Sequence, residues 1–245
     1  MACLNQKFHI FSPVNRRAVL QLAVVAVLAA VAVAGAILLS SDGAEPPPRS
    51  EQPADPLALY DGISQSGIRL GEPDAPLTLV EFADLQCPFC AQYAVQALPA
   101  IVRDYVRPGR IAYELRIRAF LGRDSVRAAG AAAYATRQDR LYQFADVFYR
   151  NQGLENSGYA GDAFIRDVAG QVPGLEPETA VAAADDPLRF PIVRATERAA
   201  ARIGSTGTPD FYVRRAGEPE LEPLEVRGTG PEAYAEALDS LLRGR

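Results

Sequence analysis

The sequence predicts an α/β fold, a mixed β-sheet with a helical segment set between its strands, and three observations predict it. A β-rich run, Leu77–Ala83, passes directly into a helical pattern. A second strand, Arg110–Ile117, alternates strictly, with Ile111, Tyr113, Leu115 and Ile117 on one side. Helical periodicity then runs from Asp124 to about Ile203 before the pattern returns to strand, strand and helix. That order implies helices layered on a sheet with both parallel and antiparallel neighbours.

Ahead of the domain, residues 18–39 are apolar or Gly apart from Gln21. At about 1.5 Å per residue such a run spans the ~30 Å hydrocarbon core of a bilayer. Lys7, Arg16 and Arg17 precede it without an acid, whereas Asp42, Glu45, Glu51 and Asp55 follow with only Arg49 between them. The positive-inside bias places residues 1–17 in the cytoplasm, makes 18–39 a transmembrane anchor, and puts the rest outside. Ala32-Val33-Ala34 also fits a signal-peptide cleavage pattern, although the apolar run continues through Ile37-Leu38-Leu39. Both readings export the domain to a compartment where disulfides persist. Residues 40–57, with Pro46-Pro47-Pro48, Pro53 and Pro56 among charges, form a linker without a core. Residues 58–245 then make one domain, large enough for a substantial core.

Composition excludes several chemistries. With 30 acidic against 25 basic residues the net charge is -5, which leaves no footprint for nucleic acid. The one histidine, His9, and the one lysine, Lys7, both precede the apolar run. The domain therefore has no Ser-His-Asp or Cys-His pair, no histidine-built metal site and no Schiff-base lysine.

Within the domain, Pro88 suits the first turn of a helix that runs to Val106 with a kink at Pro99. Helices follow at Ser125–Arg137 and Leu141–Asn151, the second with a Leu141, Phe144, Val147 and Phe148 stripe. Shorter ones follow at Asp162–Gln171, Pro177–Ala184 and Ile192–Ile203. Phe211–Arg214 and Leu221–Arg227 read as a hairpin, and Pro231 opens a last helix with Tyr234, Leu238 and Leu241 facing the sheet. Arg123, Arg127, Arg214 and Arg215 read as solvated surface.

The candidate chemistry is at Cys87 and Cys90. Two cysteines separated by two residues, where a strand gives way to a helix, place the first sulfur among unpaired helix N–H groups that favour its thiolate. The second lies deeper, within reach to resolve a mixed disulfide. A structural zinc site would need four ligands, and the domain has no third cysteine and no histidine, so no metal or cofactor is expected. A purely structural bridge across so short a loop would constrain the unfolded chain little. Cys3 lies on the cytoplasmic side and plays no part.

The segment Val80-Glu81-Phe82-Ala83-Asp84-Leu85-Gln86-Cys87-Pro88-Phe89-Cys90 resembles the active-site segment of DsbA-like thiol–disulfide oxidoreductases, members of the thioredoxin superfamily. Gly207-Thr208-Pro209-Asp210-Phe211 resembles their cis-proline loop, and the helical stretch between, about residues 122–204, resembles their helical insert. The resemblance implies a thioredoxin-like fold, with Cys87 attacking, Cys90 resolving, and a cis Pro209 beside the sulfurs. Pro88, Phe89, Thr208 and Pro209 are the implied substrate contacts, and Glu81 matches an acidic strand position that shuttles the Cys90 proton. Asp84 is expected to orient the turn. Phe89 stands where the best-known members carry His, so it brings apolar surface instead of a donor.

The expected activity is that of a membrane-anchored oxidoreductase forming disulfides in exported cysteine-containing proteins. It would be reoxidised by a quinone-linked membrane partner of the DsbB or VKOR kind. The alternatives are a reductase or isomerase on the same fold, or a non-catalytic module that binds substrates.

Overall fold

The computed structural model describes residues 55–244. The anchor at 18–39 and most of the 40–57 linker lie outside the described residues. Among those that are described, no helix is long and apolar enough to cross a membrane.

The described residues begin at Asp55, a little before residue 58. The Asp55 carboxylate accepts a bond from the Leu57 N–H and caps a 3-10 turn, Pro56–Tyr60, which buries Leu59 and Tyr60. Six strands then form one sheet: β1 (Gln65–Ser66), β2 (Arg69–Leu70), β3 (Leu77–Ala83), β4 (Ala112–Ile117), β5 (Asp210–Arg215) and β6 (Glu222–Pro223). Their spatial order is β1-β2-β4-β3-β5-β6. Central β3 runs parallel to β4 and antiparallel to β5.

All seven residues of β3 are buried, because both faces of the sheet are covered. Alternation along the strand divides them. Val80 and Phe82 pack with Tyr212 and Ala200 of α7 (Pro191–Ile203) on one face. Leu77, Leu79 and Ala83 join the main core on the other. On that second face lie α1 (Pro88–Gln96), α2 (Leu98–Ile101) and α8 (Pro231–Arg243). Tyr93, Phe211 and Tyr234 form a three-ring cluster there, with centroids 4.7 to 5.1 Å apart. Such edge-on and tilted contacts favour the aromatic quadrupoles as well as burying area. The kink expected at Pro99 appears as a break at Ala97, followed after α2 by a π-turn at Val102–Val106.

The helical insert comprises α3 (Arg123–Arg137), α4 (Leu141–Arg150), α5 (Asp162–Gly170), α6 (Pro177–Asp185) and α7. Helix α3 is Ala-rich because it packs closely: a Cβ on Gly130 would run into the Ala183 carbonyl of α6.

The structure corrects three expectations. The β1–β2 hairpin is new, since two-residue strands carry no periodic signal. The strand expected at Leu221–Arg227 shrinks to Glu222–Pro223, where Pro223 has no N–H to extend the ladder. Arg127 and Arg214 are not solvated surface. Arg127 clasps Asp162 and Asp185 on α5 and α6, and Arg214 of β5 pairs with buried Glu114 of β4.

Candidate active site

Cys87 is the N-cap of α1, with φ -71° and ψ 120°, and Pro88 takes the first helical position where no N–H is needed. The turn that delivers it is organised by Asp84, whose carboxylate is fully buried. Asp84 Oδ1 accepts bonds from the Gln86 N–H at 2.8 Å and Ser125 Oγ at 2.7 Å. Its Oδ2 accepts from the Phe120 and Leu121 N–H groups, each at 2.9 Å. The same carboxylate thus orients the turn and ties it both to the segment after β4 and to helix α3.

The insert grips the turn from the other side. Gln152 Nε2 donates to the Leu85 carbonyl at 2.7 Å and the Cys87 carbonyl at 3.2 Å. The Asn156 N–H donates to Gln86 Oε1 at 2.7 Å. No sequence motif marks these contacts. Gln86 directly precedes Cys87, but its partners lie roughly 40 and 70 residues further on.

Cys87 and Cys90 are both free thiols, so the structure shows the reduced pair. Cys87 is 4% exposed and Cys90 fully buried, while Phe89 between them is 66% exposed. The Thr208–Pro209 peptide is cis. Its loop meets the cysteine pair directly, with the Cys87 thiol 3.2 Å from the Thr208 carbonyl oxygen.

The two sulfurs ionise very differently. The Cys87 pKa falls from an ordinary 9.0 to about 6, chiefly through a hydrogen bond from the Cys90 thiol. Burial opposes that fall, and bonds from Thr208 and from the Cys90 and Phe89 backbone N–H groups add to it. The Cys90 and Phe89 N–H groups are the unpaired donors of a helix start. Burial drives the Cys90 pKa well upward, and its bond to Cys87 and the Glu81 charge push it the same way. One sulfur is a ready nucleophile and the other a reluctant one.

Glu81 sits in the middle of β3 at 3% exposure. Burial raises its carboxyl from 4.5 to about 8, against a bond donated by the Tyr113 hydroxyl, and the Cys87 charge raises it further. Tyr113, on β4, belongs to no motif in the sequence; its alternating position marks it only as a core residue. Every residue named from the sequence, Glu81, Cys87, Pro88, Phe89, Cys90, Thr208 and Pro209, therefore lies where β3, α1 and the loop before β5 converge. Among the described residues no cluster of His, Cys, Asp or Glu is suited to hold a metal ion.

A family model described as Thioredoxin matches residues 64–216. The chain is 27% identical over 160 residues to the probable disulfide bond formation protein D of Bacillus anthracis, covering 64% of this chain and 74% of that one. It is 32% identical over 112 residues to the Bacillus cereus protein of the same description, covering 44% of this chain and about half, 52%, of that relative. Among solved structures, oxidised BdbD from Bacillus subtilis superposes with a TM-score of 0.63 at 22% identity, over 74% of this chain and 98% of that one. Chlamydia trachomatis DsbA does so with a TM-score of 0.58 at 15% identity, over 74% and 94%. The matched span takes in both cysteines, Glu81 and the cis-proline loop, and the chain belongs to the thioredoxin family as a thiol–disulfide oxidoreductase with the fold of DsbA-like proteins.

Proposed function

We propose that this enzyme works as an oxidase, placing disulfides in exported proteins from a domain held at the outer face of the membrane by residues 18–39. The observation that carries this reading is the placement of the Cys87 sulfur at the start of α1 beside the Thr208–Pro209 loop, which with the Cys90 thiol lowers its pKa to about 6. At pH 7 a thiol with that pKa is mostly thiolate, which stabilises the reduced pair by at most about 1.4 kcal/mol relative to an unperturbed thiol, a ceiling that solvent screening lowers. A stabilised reduced state is an oxidising disulfide, by about 30 mV for that energy. The gain arises without a histidine between the cysteines, because the Cys90 thiol and the helix N–H groups supply the donors. The relatives described as disulfide bond formation proteins support the same direction.

In this cycle a substrate thiolate attacks Cys87 of the oxidised pair, the Cys87–Cys90 bond breaks, and Cys90 leaves as a thiolate that takes a proton from Glu81. A second substrate thiolate attacks the substrate sulfur of the mixed disulfide and expels Cys87 as its stable thiolate. The substrate gains a disulfide and the enzyme holds the two electrons until a quinone-linked membrane oxidase, DsbB-like or VKOR-like, removes them. Thr208 and Pro209 line the approach to Cys87, and Pro88 and Phe89 offer the substrate an apolar face.

The reduction potential of the full chain tests the direction. A value toward the roughly -120 mV of a strong oxidant supports the oxidase, and one near the roughly -270 mV of thioredoxin overturns it in favour of a reductase.

A further inference from the structure

Glu81 shares its surroundings with a second buried acid. A cavity of about 10 Å³ is lined by both Glu81 and Asp146, with Tyr60, Ala145 and Tyr149 among its walls. That volume is about enough for one water, which needs polar partners, and two carboxyl groups provide them. Asp146 lies on α4, whose other inward residues are apolar or aromatic, and its side chain is 1% exposed. Its only charged neighbour on that helix is Arg150, whose Nε donates to Oδ2 at 2.6 Å and Nη2 to Oδ1 at 3.2 Å. Arg150 itself reaches solvent. A buried ion pair gains little stability over well-packed apolar side chains, so stability alone gives no reason for an acid here.

We propose that Asp146 is the outer acceptor of a proton relay, joined to Glu81 through a water in this cavity and opening to solvent beside Arg150. The inference rests on the reading of Glu81 as the acceptor of the Cys90 proton. When Cys87 carries a mixed disulfide, the Cys90 thiol passes its proton to the Glu81 carboxylate. The Cys90 thiolate then attacks the Cys87 sulfur, the new Cys87–Cys90 bond forms, and the partner sulfur leaves as a thiolate with the bond's electron pair. Glu81 is restored by giving a proton to the cavity water as that water gives one to Asp146. In the opposite half-reaction the proton runs inward along the same groups.

The charges around the relay are consistent with this traffic. Burial raises the Asp146 carboxyl, Arg150 lowers it, and Asp55 raises it, so the group holds a proton more readily than a surface aspartate. Tyr60 faces both acids from the amino-terminal turn, and Tyr113 from β4 and the two cysteines face Glu81. The phenols stay protonated, since burial pushes Tyr60, Tyr113, Tyr142 and Tyr149 well above their ordinary value.

The test is the rate at which glutathione leaves a Cys87–glutathione mixed disulfide, followed from pH 5 to 9 in the full chain with Cys3→Ser. Asp146→Asn is expected to slow release about tenfold at neutral pH, below the roughly 100-fold floor of a directly placed acceptor, with Asp146→Glu restoring it. Glu81→Gln is slower still, and the double variant Glu81→Gln/Asp146→Asn is no slower than Glu81→Gln alone. Ala145→Val, which fills the cavity and leaves both acids, slows release as Asp146→Asn does, and decides the matter should the latter fail to fold. Wild-type rates in Asp146→Asn and Ala145→Val beside a slow Glu81→Gln overturn the relay. So does a double variant in which the two losses multiply. A wild-type rate in Glu81→Gln overturns the reading of Glu81 itself.

Discussion

Replacing Glu81 by Gln will stabilise the oxidised enzyme, and the gain will grow with pH. Glu81 is 3% exposed, and burial is the main reason its pKa rises from 4.5 to about 8. The folded chain therefore binds this proton more tightly than the unfolded chain does, and stability falls as the proton is lost. A raised folded pKa contributes stability that is fully present below 4.5 and lost as the pH climbs through about 8. That span is roughly 3.5 pH units, which at about 1.4 kcal/mol per unit sets an upper bound of about 5 kcal/mol by pH 9 and about 3 kcal/mol by pH 7, because the Cys87 charge that adds to the rise is absent from the disulfide. Gln has the same shape, keeps an acceptor for the Tyr113 hydroxyl and does not ionise. The oxidised form is the one to measure, because reduced Cys87 titrates with the opposite sign. Its depressed pKa contributes stability present above 9.0 and lost as the pH falls through about 6. Discounted by about half for solvent at its open side, that is about 2 kcal/mol acting against Glu81 in the same window. Urea unfolding of both oxidised proteins at pH 5, 7 and 9 gives the answer. Stabilities of wild type and Glu81→Gln that run parallel from pH 5 to 9 would refute the reasoning.

Four further outcomes are expected. Cys90→Ala removes the largest donor to the Cys87 sulfur, so the midpoint of Cys87 alkylation by iodoacetamide should move up from about 6; an unmoved midpoint would assign the thiolate to the helix start alone. Asp84→Ala leaves three backbone N–H groups and Ser125 without their acceptor and should cost about 3–5 kcal/mol, read as a fall of roughly 10 °C in Tm. Gly130→Ala should destabilise by about 1–3 kcal/mol in thermal unfolding, because the clash with the Ala183 carbonyl outweighs the ~1 kcal/mol helix propensity of alanine. Capping Cys87 as a neutral mixed disulfide should lower the midpoint of the buried Glu81 carboxyl band in infrared titration, since the Cys87 charge is one of its raising causes.

The parts of this molecule legible in the sequence are those whose signals are local. Proline at the first turn marks the starts of helices at Pro88, Pro177, Pro191 and Pro231, and Gly204, with φ +71°, ends α7 in the left-handed conformation. The cysteine pair and the Thr208–Pro209 loop are legible as short motifs. What surrounds them is not, because it depends on residues brought together only by the fold. Gln152 and Asn156 meet the active-site turn from the loop that follows α4. Asp146 looks in the sequence like one polar residue in an amphipathic helix, and only packing of α4 against α1, α3 and the Pro56–Tyr60 turn buries it. The β1–β2 hairpin and the two-residue β6 are too short for alternation to show, and the partners of Arg127 and Arg214 lie on other elements.

The site sets two opposite charge preferences side by side, and in the proposed cycle that opposition times the proton transfer. While Cys87 is a thiolate, its charge raises the pKa of both Glu81 and Cys90, so each holds its proton and the reduced pair rests with one negative charge at its surface. Once Cys87 forms a mixed disulfide, that charge is gone and both raising influences vanish together. Glu81 ionises more readily when a base is needed, and the Cys90 thiol gives up its proton more readily when it must attack. Were Glu81 an aspartate-like surface acid of ordinary pKa, it would be ionised throughout, and its charge beside Cys87 would oppose the thiolate on which the oxidising character rests. Burial deep enough to keep the carboxyl neutral while Cys87 is charged, at about 5 kcal/mol of stability above pH 8, is what lets one acid serve as base in one half-reaction and acid in the other.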